Sequence, residues 1–383
     1  MTNELFAGLI HNFLACAHMI EASGIRKSVY VVIIMLLAVV AVSFFFRAQN
    51  NITSNVIDEK TIAGNLAQVC EKENSDFCYG REFRELARTH DMQWTRRVLA
   101  ALQTEDPRTL HCHVIAHYIG ATEVEKDPMQ WQSLLASIDP QACLGGFFHG
   151  IFEARMRLDP TFEIAGNQIP SICGNLTSTY SLGSCAHALG HLILVEAGGD
   201  VTKAVENCRG ATSEFSAMCF GGVFMEYTVK GNLQAHDLGK QVSWDINLAQ
   251  ETEKLCRSYA GEPAMACWGE LGHVYAAIND DKAPMAFSLC EEAPSLEARK
   301  NCYMMAIEKI AVTAKNDDQL VGLCDPYSKT DSGIFQECIQ RVVTTLLKSS
   351  VEYAKRAENF CANLKSFNRT CFDAIAQELT TDQ

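Results

Sequence analysis

The chain has 383 residues, 48% hydrophobic and 20% charged, with a formal net charge of −14 at pH 7. That balance describes a folded chain long enough for a sizeable core and excludes a disordered one. An acidic surface with no run of Lys and Arg repels phosphate backbones, which argues against a nucleic-acid partner and leaves room for cations and metal ions.

Residues 1–28 read as a short cytoplasmic tail. Within it, residues 3–22 are mostly apolar but broken by Glu4, His11, Asn12 and His18, a pattern suited to a helix lying along a membrane surface, with a second span the weaker alternative. Residues 29–46 form an uncharged run flanked by Arg26 and Lys27 on one side and Arg47 on the other. As a helix the run rises about 27 Å, close to the thickness of a bilayer's hydrocarbon core. It is too long, and starts too far into the chain, for a cleaved leader, and no Ala-x-Ala stands where a protease would cut. A single uncleaved transmembrane helix is therefore expected, followed by a linker over 47–65.

Cysteine placement sets the expected orientation. Of 17 cysteines, only Cys16 precedes the apolar run, where it would stay reduced or carry a lipid. The other 16 follow it and fall into neighbours: Cys70/Cys78, Cys173/Cys185, Cys208/Cys219, Cys256/Cys267, Cys290/Cys302, Cys324/Cys338 and Cys361/Cys371, which leaves Cys112 for Cys143. An even set with local pairs reads as a disulfide framework, and such frameworks persist in oxidising compartments. The large domain is expected outside the cytoplasm, whether periplasmic, extracellular or lumenal. Cys-x-x-Cys is absent, which disfavours thioredoxin-like chemistry and zinc ribbons.

Residues 66–165 read as an N-terminal helical part bearing histidine motifs, and 166–383 as cysteine-paired helical hairpins. The first cysteines of the late pairs, at 173, 208, 256, 290, 324 and 361, are 35, 48, 34, 34 and 37 apart. A period of 34–37 with one insertion is the mark of stacked hairpins. Each unit is expected to be a helix ending at the first cysteine, a turn, and a helix starting near the second. Gly261-Glu-Pro, Ala293-Pro-Ser and Asp325-Pro supply breaks between paired cysteines, and apolar positions after Cys302 and Cys338 recur at i, i+3 and i+4. No strand pattern of useful length appears. Over roughly residues 165–380 this architecture resembles tetratricopeptide-like helical repeats, especially the cysteine-rich kind with a disulfide in each hairpin. The resemblance implies an all-α, α-solenoid-like fold and a tendency to bind partner proteins.

The second cysteines open a shared pattern. The sixth residue after Cys143, Cys185 and Cys267 is His149, His191 and His273; after Cys219 it is Met225, followed by Glu226, and after Cys302 it is Glu308. His111, His113 and His117 surround Cys112, and His187 precedes His191 by four. Positions four apart share a helix face, which couples His113 with His117, His187 with His191, and His149 with Glu153; Glu270 and His273, three apart, are also neighbours. Imidazole and carboxylate pairs of this kind suit zinc, copper, iron or nickel. The expected ligand set is His113, His117, His149, His187, His191 and His273, joined by Glu153, Glu226 and Glu270, with His273 the outermost member.

A competing reading needs no ligand: Gly145, Gly146, Gly190, Gly221, Gly222, Gly269 and Gly272 would serve close helix packing, with buried histidines bonding carbonyls across it. His-Glu-x-x-His, Gly-x-Ser-x-Gly, phosphate loops and the Rossmann fingerprint are all absent. Asn51, Asn175 and Asn368 begin glycosylation triplets. The functional expectation is a membrane-tethered binding or scaffold module with a protein partner and a metal site. A metal-dependent oxidoreductase or hydrolase and a purely structural scaffold are the rivals.

Overall fold

A computed structural model describes residues 59–381, except 73–74, 107–108, 110–111, 139–142, 160, 177, 230–243, 280–281, 315, 325–331, 350–351 and 365–367. The chain divides into two compact units, Met1–Thr61 and Ile62–Gln383. The expected membrane run at 29–46, the surface-lying segment at 3–22 and Cys16 lie outside the described residues, as does His111. Among the described residues no helix is long and apolar enough to cross a membrane.

The second unit is all-α, with no strand among its described residues. In chain order its helices are α1 (Ser75–Thr89), α2 (Met92–Glu105), α3 (His113–Lys126), α4 (Trp131–Ser137), α5 (Gly146–Leu158), α6 (Ile169–Cys173), α7 (Thr179–Glu196), α8 (Val201–Cys208), α9 (Ser213–Thr228), α10 (Ile246–Cys256), α11 (Glu262–Ile278), α12 (Ala283–Cys290), α13 (Leu296–Thr313), α14 (Asp317–Cys324), α15 (Ser332–Ser349), α16 (Glu352–Asn363) and α17 (Asn368–Thr381). Their starts are written in capping residues. Asp91, Ser178, Asp200, Asp245 and Ser295 each accept a hydrogen bond from a backbone N–H three residues on, satisfying a donor that the first turn leaves open. Gly261, at φ +66°, turns the chain into α11, and Pro263 sits in its first turn.

From α6 onward short and long helices alternate, and a disulfide staples each pair. The eight bonds are Cys70–Cys78, Cys112–Cys143, Cys173–Cys185, Cys208–Cys219, Cys256–Cys267, Cys290–Cys302, Cys324–Cys338 and Cys361–Cys371, so each cysteine joins its sequence neighbour. The short helix ends at, or within a turn of, its cysteine. The long helix starts earlier than the cysteine pattern suggests, three to six residues before the second cysteine. That overlap puts the bond between the C-terminus of one helix and the second turn of the next, and it buries every one of these cysteines.

The long helices α3, α5, α7, α9, α11, α13, α15 and α17 pack in sequence as one row, with α1 before α3. A long helix flanked on both sides is buried all round: α11 buries every residue from Cys267 to Ala276, a run that covers all of its faces. The row curls. The C-terminal part of α15 packs on the turn before α5: Sγ of Cys112 lies 3.7 Å from the Ser349 carbonyl, and Nζ of Lys348 stands 5.1 Å from the Tyr180 ring centre on α7. An open, solenoid-like array is the expectation from the period alone; here α15 reaches back to the turn before α5.

Candidate metal centre

The centre is built on α3, α5 and α7, where two helix pairs, α3 with α5 and α7 with α9, approach unusually closely. A Cβ on Gly146 would lie 2.2 Å from the His113 carbonyl oxygen, and one on Gly150 would lie 2.0 Å from that of His117. In the next pair, a Cβ on Gly222 would meet the His187 carbonyl oxygen at 1.9 Å. Only glycine permits this spacing, which brings α3 against α5 and α7 against α9. The glycines therefore do the packing work that the ligand-free reading assigns them, and Gly146 and Gly150 also set the distance between the histidine-bearing α3 and α5.

Five histidines meet there. On α3, Nε2 of His113 and Nε2 of His117 are 3.1 Å apart. On α7, Nε2 of His187 and Nε2 of His191 are likewise 3.1 Å apart. His149, on α5 between them, has its ring centre 4.9 Å from His117, 5.0 Å from His113, 4.6 Å from His191 and 5.6 Å from His187. Among the described residues these form two groups that could hold a metal ion: His113, His117 and His149, and His149, His187 and His191. His117, His149 and His191 are buried, whereas His113 and His187 are only partly so, which gives each group one member at the accessible edge.

In His113, His117 and His191 the nitrogen turned away from the shared point is held by an acceptor. Nδ1 of His113 is 3.2 Å from the carbonyls of both Cys143 and Leu144, and must donate to them. Those carbonyls are aimed by a left-handed stretch, with Cys143 at φ +55°, Leu144 at +50° and Gly145 at +79°. Two non-glycine residues in that region cost on the order of 1 kcal/mol or more each, and the Cys112–Cys143 bond helps to hold them there. Nδ1 of His117 faces both oxygens of Glu153, at 3.1 and 3.3 Å, and Nδ1 of His191 lies 2.8 Å from Oε2 of Glu226. With Nδ1 donating, a neutral imidazole presents its lone pair at Nε2. At the His113/His117 pair both lone pairs therefore face each other, and at both His-x-x-x-His pairs the nitrogens stand at the separation that cis ligands of one ion adopt: metal–nitrogen bonds of about 2.0–2.1 Å put them about 3 Å apart.

Electrostatics favour the ligating form. Burial holds the His149 imidazole well below its usual range, and the neighbouring His191, His117, His113 and His187 push it the same way. Burial likewise lowers His187, outweighing Glu270 and Glu308. Burial raises the Glu226 carboxyl to about 7, and its Oε1 has no hydrogen bond. A cation at the far nitrogen of His191 would supply the charge that this buried carboxylate lacks.

The expected ligand set is thus divided. Glu153 and Glu226 stand behind histidines as hydrogen-bond acceptors, outside the two groups. His273 and Glu270 are also outside them: Nδ1 of His273 is 3.1 Å from Oε2 of Glu270 on the same helix. Burial opposes charging of that imidazole, but Glu270 and Glu308 outweigh it and raise His273. Glu308 in turn pairs with Arg341 at 3.1 Å. Glu308 occupies the same slot after its cysteine as His149, so the repeat pointed to it; Arg341 sits in an ordinary amphipathic helix and gave no signal. The left-handed turn at 143–145 had only Gly145 and Gly146 to announce it.

Comparisons with protein-family models, with curated proteins and with solved structures found no match.

Proposed function

We propose that the chain is a membrane-anchored, extracytoplasmic helical-repeat protein that binds a transition metal at His113, His117, His149, His187 and His191 and serves as a binding or scaffold module. The observation that carries the metal reading is the convergence of two Nε2 atoms, twice, with Nδ1 of His113, His117 and His191 bonded to acceptors. With Nδ1 of His113 and of His117 both donating, the two Nε2 lone pairs 3.1 Å apart repel unless a cation lies between them. Zinc, copper and iron all accept such a donor set. The oxidising compartment rests on the eight disulfides, and the anchor on the uncharged run at 29–46.

A second reading, a metal-dependent oxidoreductase or hydrolase, draws on one feature. Three histidines leave a coordination position open, as catalytic sites do and closed structural ones do not, and His113 and His187 reach the accessible edge. The test is metal content of the full chain purified in detergent and mildly dialysed, beside the His117→Ala variant. At least one transition-metal ion per chain, reduced in the variant, is expected. Metal-free protein that takes up none of zinc, copper or iron at micromolar concentration refutes the proposal.

A further inference from the structure

The two groups share His149, and their geometry points to a specific arrangement. We propose that the centre is dinuclear: one ion on His113 and His117, a second on His187 and His191, and His149 bridging them as an imidazolate. This rests on the metal reading above and goes beyond it in number and in connectivity.

Four observations carry the inference. First, the five histidines form two groups among the described residues instead of one group of five, so a single ion does not gather them. Second, the two groups are alike. Each has a His-x-x-x-His pair with its Nε2 atoms 3.1 Å apart, a partly buried outer histidine, and a buried inner one whose Nδ1 faces a glutamate on the following long helix. One complete chelating unit is therefore present twice, on α3/α5 and on α7/α9. Third, His149 sits between the inner members, 4.9 Å from the His117 ring and 4.6 Å from the His191 ring, and makes no hydrogen bond among the described residues. Its two nitrogens lie on different edges of one ring, so each can serve a different ion. With metal–nitrogen bonds of about 2.0–2.1 Å on either side, the ions would stand about 6 Å apart. Fourth, the charges are matched. Glu153 and Glu226 give each ion a carboxylate behind one of its ligands, and the bridge contributes a further negative charge between them.

The chemistry balances without any oxidant or reductant. Neutral His149 holds one proton on the ring. Binding of the first ion uses the bare nitrogen; binding of the second breaks the remaining N–H bond and forms a metal–nitrogen bond in its place. That proton leaves to solvent, so one proton is released per bridge formed.

The test is a copper(II) titration of the full chain in detergent, stripped with chelator beforehand and read by electron paramagnetic resonance. Two equivalents should bind. The signal should rise with the first equivalent and fall with the second, as the two spins couple through the imidazolate. His149→Ala should abolish the coupling. His117→Ala and His191→Ala should each bind one equivalent with an ordinary one-spin signal, which keeps the proposal testable if His149→Ala folds poorly. His273→Ala should behave as the parent, and helical circular dichroism checks each variant's fold. Saturation at one equivalent, or two equivalents whose signal integrates to two independent spins, overturns the bridge and leaves the metal reading standing. No tight binding at all overturns both.

Discussion

Replacing Gly150 by alanine strikes the contact that holds α3 and α5 at their working distance. The new Cβ would stand 2.0 Å from the His117 carbonyl oxygen, 2.7 Å from its carbon and 2.8 Å from its Cα, all backbone atoms that no rotamer change can move aside. Contacts under 3.0 Å are essentially unknown for a Cβ, so the helices must open by about 1 Å. They are poorly placed to do so. Gly146, one turn earlier, makes the same approach to His113, and the Cys112–Cys143 bond ties the two helix starts together. Overpacking of this kind costs about 1–3 kcal/mol, and the better helix propensity of alanine returns about 1 kcal/mol, for a net loss of up to about 2 kcal/mol. The site is hit harder. His149 adjoins the substituted position, metal–ligand distances tolerate only about 0.2 Å, and a displacement near 1 Å should weaken metal binding by about 10–100-fold or more. Gly322→Ala is the control: beyond the backbone of α14 itself nothing lies within 4 Å of that Cβ, and the same exchange should leave stability unchanged or raise it by up to about 1 kcal/mol. Denaturant unfolding without reductant, and metal titration of both variants, provide the assay. If the two variants shift stability in the same direction and bind metal equally, the close-approach argument is wrong.

Removing the Cys112–Cys143 bond by a double serine substitution opens the longest disulfide loop, with a sequence separation of 31, and should cost roughly 4 kcal/mol in denaturant unfolding; a loss under about 1 kcal/mol would show that the bond does not constrain the chain. Glu226→Gln keeps the size of the group behind His191 but removes its charge, and should weaken metal binding about 10–100-fold in a competition titration, whereas Glu206→Gln, at an exposed position on α8, should change it by less than about 2-fold. Equal effects of the two would refute the assignment of Glu226. Labelling intact cells with a membrane-impermeant reagent should modify the domain that follows residue 61, and protection of that domain, with thiols open to alkylation, would refute the proposed topology.

How much of this was legible beforehand follows from the range of the interactions involved. The helical hairpins and the pairing of cysteines are short-range features. A period of 34–37, breakers such as Gly261-Glu-Pro and Ala293-Pro-Ser, and cysteines mostly 8–14 residues apart leave a chain few ways to pair. The facing of His113 with His117, and of His187 with His191, is equally local, because four residues make about one helical turn. Beyond that, position along the chain stopped being informative. His149, His191 and His273 occupy the same slot after a cysteine, yet only the first two reach the centre. What divides them is which helices approach within a glycine's reach and how the row curls. Contacts of 1.9–2.2 Å to the Gly222, Gly150 and Gly146 positions seat α3 on α5 and α7 on α9, while α11 packs with α13 through Gly272 and keeps His273 with Glu270. The role of each glutamate was likewise undecided until the helices met. Carboxylates at ligand spacing look the same in sequence whether they bind an ion or stand behind the histidine that does, and only the 2.8 Å approach of Glu226 to Nδ1 of His191 tells them apart. Helix, hairpin and disulfide are properties of neighbouring residues and were written in the sequence; the centre is a property of distances between helices, and those came only with the packed chain.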